Sequence, residues 1–209
     1  MESKRFFKEI LIVIIGCIFL GASVSFGNNG LFLASVVSFL IIMSSNSLTK
    51  KVVGYFLEIG VEIRFWSWYQ YGFRKASHFK KPVPMIWLPV VLSFLSKGYF
   101  WWLGILEFDV IPKAERVSRR HGLYRFTEVT EWHIAWIALF GIIINLILGF
   151  VGYLVGFEYF AKLSIYYSLW SLIPLSSLDG SKIFFSSRKV WAIATVIVGI
   201  LTLWAMAIV

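Results

Sequence analysis

MIWLPVVLSFLSKGYFWWLGIL, residues 85–106, is the stretch on whose reading the fold turns. It is apolar enough to cross a bilayer, which takes about 20 residues. Pro89 and then Lys97-Gly98 cut it into two pieces, each too short to cross alone. The lysines and arginines choose between a crossing and a dip, because short loops rich in them favour the cytoplasmic face. With the N-terminus inside and residues 85–106 entering and returning on one side, segments 1–9, 44–131 and 179–189 share the cytoplasmic face. They hold nineteen of the twenty Lys and Arg and leave only Lys162 outside. A full crossing would flip every later segment and turn Lys182, Arg188 and Lys189 outward. The re-entrant reading is therefore expected. Its backbone must be covered by protein or water, which implies a cleft on the cytoplasmic side.

Composition agrees with a membrane setting. Of 209 residues, 59% are apolar and 15% charged, against roughly a quarter charged in a soluble domain. Residues 10–26 and 31–43 form two apolar blocks joined by Gly27-Asn28-Asn29-Gly30, a turn tetrapeptide, and read as a tight helical hairpin. Leu48, Val52, Val53 and Phe56 carry the helical pattern past Lys50 and Lys51. Residues 61–71 alternate, with Val61, Ile63 and Phe65 set against Glu62, Arg64 and Trp66, and read as a strand. Residues 107–125 are polar, and 132–155, 160–175 and 190–209 form three more apolar helices. The expected architecture is an α-helical polytopic membrane protein, one domain over residues 1–209. It has five to six transmembrane helices, a re-entrant or broken helical segment and a small interfacial β-sheet.

Several functional classes are excluded at this stage. The single cysteine, Cys17, cannot form a disulfide or a cysteine-based zinc site within one chain. The net charge of +9 does not point to nucleic acid, since the basic residues flank apolar blocks. Anionic lipid headgroups are the expected partner, with Arg74, Lys75, Lys80 and Lys81 as a cluster suited to them. The aromatics at 99–102 read as an interfacial belt or as hairpin packing.

Residues 171–182, SLIPLSSLDGSK, are similar to the N-x-x-P-x-x-x-L-D-G-x-K/R signature of the site-2 protease family, intramembrane zinc metalloproteases, in its archaeal-type form. Residues 140–146, FGIIINL, resemble the family's A-G-P-x-x-N helix, keeping Gly141 and Asn145 without the proline. Asn46-Ser47-Leu48-Thr49-Lys50-Lys51 stands where relatives would carry H-E-L-x-H-K. The resemblance covers residues 31–190. It implies zinc held by the two histidine positions and Asp179, a general base at the glutamate position, and a substrate-contacting role for Asn145. It also implies a membrane-associated sheet whose edge takes an extended peptide, with Glu62 and Phe65 as binding candidates beside Asn145 and Asp179.

The catalytic positions, however, are Asn46, Ser47 and Lys50. None is an imidazole, thiolate or carboxylate, and none accepts a proton from bound water. No acidic residue lies between Glu9 and Glu58, and the histidines His78, His121 and His133 cannot form H-E-x-x-H. No catalytic residue, metal or cofactor is therefore expected. For Asp179 two roles are open, capping backbone N–H groups or pairing with Lys50 or Lys182. The expected function is binding of transmembrane protein segments, or membership of a membrane complex, without hydrolysis. The alternatives are a metalloprotease with relocated ligands, such as His133 with Glu128 or Glu131 and Asp179, and a small transporter or lipid-binding protein.

Overall fold

The computed structural model describes residues 2–26, 28–70, 78–112 and 129–208. Its frame is helical: α1 Glu2–Val24, α2 Phe32–Phe56, a short α3 Leu88–Leu95, α4 Glu131–Leu154, α5 Glu158–Leu172, α6 Asp179–Ser186 and α7 Arg188–Ile208. Among the described residues four helices, α1, α2, α4 and α7, are long and apolar enough to cross a membrane. The five to six long helices expected from the sequence are thus four. The fifth apolar block, 160–175, forms the 15-residue α5, which at 1.5 Å per residue is about 22 Å long and falls short of a hydrocarbon core of about 30 Å. Pro174 and the extended Ile173 stop the helix early. With the turn that follows it, α5 runs alongside much of α2. Tyr159 at the start of α5 shares a 2.6 Å hydrogen bond with Ser35 near the start of α2, while Asp179 meets Lys50 fifteen residues further along α2.

The helical pattern of residues 31–43 does continue past Lys50 and Lys51, ending at Phe56. The first helix begins earlier than its apolar block, at Glu2, because nothing in the charged prelude breaks it. The strand expected over 61–71 is broken at Trp66 into β1 Ile59–Phe65 and β2 Ser67–Gln70, with Tyr71 outside the described residues. Two two-stranded antiparallel sheets result: β1 with β4 Leu106–Pro112, and β2 with β3 His78–Pro84. Most of the polar segment 107–125, and Arg74 and Lys75 of the basic cluster, also lie outside the described residues, while Lys80 and Lys81 are exposed on β3.

Trp66 explains the break and settles the geometry of residues 85–106. Its amide donates to Ile105 O (2.8 Å), and its carbonyl accepts from the Met85 amide (2.9 Å). The segment therefore leaves and returns at one residue, as a hairpin of the helix α3 and an extended arm. Along α3, Ser23 of α1 donates to Pro89 O (3.0 Å) and shares a 2.7 Å hydrogen bond with Ser93 Oγ. The aromatics of the returning arm are hairpin packing. Trp102 stacks on Trp66 and tilts against Trp170, Phe100 meets Trp170 edge-on and Trp101 meets Tyr166, while Tyr99 stays exposed.

Candidate functional site

Asn46 and Lys50 are four residues apart on α2 and so share a helix face, which meets α4 at Gly141. The approach needs a residue without a side chain. A Cβ on Gly141 would lie 2.6 Å from Lys50 Cε and 3.1 Å from Asn46 Nδ2. Asn46 Nδ2 donates to Gly141 O at 2.7 Å. Lys50 passes this point, and its Nζ donates to Asp179 Oδ2 at 2.5 Å, with the two side chains 2% and 3% exposed. Asp179 opens α6 directly after the extended Leu178. It is brought close by Gly180, where a Cβ would lie 2.0 Å from Leu172 O. The structure thus selects Lys50 from the partners open to Asp179.

A second acidic side chain and a second lysine lie alongside. Glu107 on β4 is buried and accepts hydrogen bonds from Ser177 Oγ and, at 3.4 Å, from Tyr69 OH. Burial pushes its carboxyl above the usual range, against the opposing pull of Ser177 and the Lys182 ammonium. Lys182 Nζ donates to Phe108 O and sits 3.6 Å from the Phe108 ring centroid, with Lys50 Nζ at 5.0 Å from the same ring. Two lysines and two acidic side chains therefore gather across β4, α2 and α6.

Burial lowers the Lys182 pKa to about 8, helped by the positive charge of Lys50 and opposed by Asp179. Its ordinary value is 10.5, so between about 8 and 10.5 the unfolded chain binds a proton that the folded chain does not. Stability from this group is lowest below pH 8 and rises with pH through that window. Denaturation midpoints measured across it should rise for the wild type and lose that rise in Lys182→Met.

The other candidates fall in different places. Ser47 is turned away from Asp179 and lines a groove between α1 and α2. Asn145 lies one turn beyond Gly141 on α4, wholly buried, and its carbonyl accepts from Ser164 Oγ at 2.7 Å. Its own side-chain amide, with Asn46 Oδ1, Ser47 Oγ, Asp179 Oδ1 and Ser181 Oγ, has no protein partner among the described residues. Glu62 is held by Arg5 (3.1 Å) and Arg64 (2.8 Å), and its carboxyl is lowered chiefly by the Arg64 hydrogen bond. Phe65 is half-buried and pairs with Leu106 in the β1–β4 register. The edge of β1 turned from β4 is not bare. The Ile63 amide donates to Glu9 Oε1 (3.1 Å), and Glu9 is itself held by Lys51. His133 Nδ1 shares a 2.5 Å hydrogen bond with Thr130 and closes the first turn of α4. Glu128 lies outside the described residues, and no group of three His, Cys, Asp or Glu that could hold a metal occurs among those described.

The donor set does not fit zinc. Asn46 is committed to Gly141, and Lys50 offers an ammonium that repels a divalent cation. The one carboxylate left, Asp179, is neutralised by that ammonium. Glu107 and Glu9 were invisible to sequence reasoning as site residues, because their partners are 70 and 54 residues away. The one clue to Glu107 was its position as the first charge after the apolar run. What the fold defines is a predominantly helical protein with four helices apt for a bilayer and a buried ion-pair cluster joining α2 to α6. No known family, curated protein or solved structure matches the chain.

Proposed function

We propose that this chain is a catalytically inert, site-2-protease-like membrane protein, multi-pass with its N-terminus in the cytoplasm. It acts by binding, holding or presenting membrane-protein segments. The observation behind this is the Lys50–Asp179 pair. The resemblance would join the ends of α2 and the Leu-Asp-Gly turn through a metal, and here those same two positions converge on each other through a tethered ammonium. Hydrolysis has no general base and no Lewis acid in such a site. Binding has a surface in the edge of β1, where an extended segment can add a strand on displacing Glu9 from the Ile63 amide.

Metal analysis tests the reading in both directions. The purified full chain should hold far less than one zinc. The triple variant Asn46→His, Ser47→Glu, Lys50→His should gain about one zinc per chain through two imidazoles and Asp179, and lose it on Asp179→Ala. Stoichiometric zinc in the wild type, lost on Asp179→Ala, would overturn inertness. A folded triple variant that takes up no zinc would overturn the resemblance itself.

A further inference from the structure

Two cavities on the far side of α2 from the Lys50–Asp179 pair share Phe6, Glu9 and Lys51, and form one cleft. One arm, about 310 Å³, lies between α1 and α2 against Ile10, Val13, Ile14 and Leu40. The other, about 430 Å³, runs along β1 past Arg5, Tyr55 and Glu62. The chemistry along α2 is ordered. Lys51 stands at the junction, the hydroxyls of Ser47 and Ser44 follow one and two turns further in, and Leu40 closes the apolar end. From Lys51 to Leu40 the groove runs about 16 Å at 1.5 Å per residue. One leaflet of hydrocarbon is about 15 Å deep.

We propose that this cleft binds an anionic phospholipid, with its phosphate at Arg5 and Lys51, its ester oxygens at Ser44 and Ser47, and one acyl chain between α1 and α2. The order of cation, hydroxyl and hydrocarbon is that of the lipid itself. The buried Ser47 Oγ, which has no protein partner among the described residues, gains an acceptor. Around the junction Arg5, Lys8, Lys51 and Arg64 face Glu9, Glu62 and Asp109, and the single excess positive charge complements a phosphodiester. The proposal needs only that α1 and α2 lie in a bilayer, so it stands or falls apart from the resemblance to site-2 proteases.

The full chain in phospholipid nanodiscs, photolabelled with phosphatidylglycerol carrying a mid-chain diazirine, tests it. Adducts should concentrate on Ile10, Ile14 and Leu40, several-fold above those on the exposed α7 residues Ile193, Ile197 and Ile200. Phosphatidylcholine with the same chain should label the groove far less. Lys51→Gln or Arg5→Gln should each cut the preference for the anionic lipid roughly fivefold, from the attraction of one cation near an anionic headgroup. Ser44→Phe should empty the groove of adducts. Equal labelling of groove and α7 by both lipids would overturn the proposal, reducing the cleft to ordinary boundary lipid. So would a photocrosslinker at Ile14 that captures polypeptide instead of lipid. The two surface variants keep the test decisive if Ser44→Phe does not fold.

Discussion

Replacing Lys50 with methionine destabilises the fold by about 3–5 kcal/mol, the cost of leaving a buried charge without its partner. Asp179 is 3% exposed, and its second oxygen has no protein partner among the described residues. Lys182 lies near, but it is engaged with Phe108. For a chain of this size the loss corresponds to roughly 6–20 °C in Tm. The double variant Lys50→Met, Asp179→Leu should recover most of it, since an apolar pair of similar volume often equals a buried ion pair in stability. Thermal unfolding of the three proteins in one detergent decides the matter. A single variant no less stable than the double would show that the pair does not hold α6 to α2.

Gly180→Ala is the second large effect. The added Cβ would sit 2.0 Å from Leu172 O and 2.3 Å from its carbonyl carbon. Both belong to the backbone at the end of α5, and Leu172 O is also the acceptor for Trp191 Nε1 at 3.0 Å. No flexible side chain can yield there, so either α6 shifts or the α5–α7 contact opens. A loss of about 3 kcal/mol or more follows, at the upper end of overpacking costs. Gly141→Ala makes the instructive contrast, because its clash at 2.6 Å is with the flexible Lys50 Cε. It should cost less and should act by moving the ammonium off Asp179. Equal stability of Gly180→Ala and wild type would refute the close approach.

The features that were legible in the sequence are those written in local pattern. The 3.6-residue period through Leu48, Val52 and Phe56 carried α2 past two lysines. The cuts at Pro89 and Lys97-Gly98 made residues 85–106 a hairpin, and the structure returns both its ends to Trp66. The convergence of Lys50 with Asp179 was also foreseen, though as one of several partnerships. Long-range geometry was not legible. Trp66 has strand-like neighbours on both sides, and only its hydrogen bonds to residues 85 and 105 reveal that it ends one strand and starts another. The early end of α5 is set by Ile173 and Pro174, which a count of apolar residues over 160–175 passes over. Glu9 looked like part of a charged prelude until it was seen to hold a strand amide from a distant segment.

The ion pair also sets a clock on biogenesis. Lys50 and Asp179 are 129 residues apart, so at 5–20 residues per second synthesis leaves Lys50 waiting from about 6 to about 26 s for its carboxylate. During that interval the Lys50 ammonium has no carboxylate at Asp179 to neutralise it. A chain ended before Asp179 would carry the Lys50 ammonium without the carboxylate that neutralises it in the complete fold.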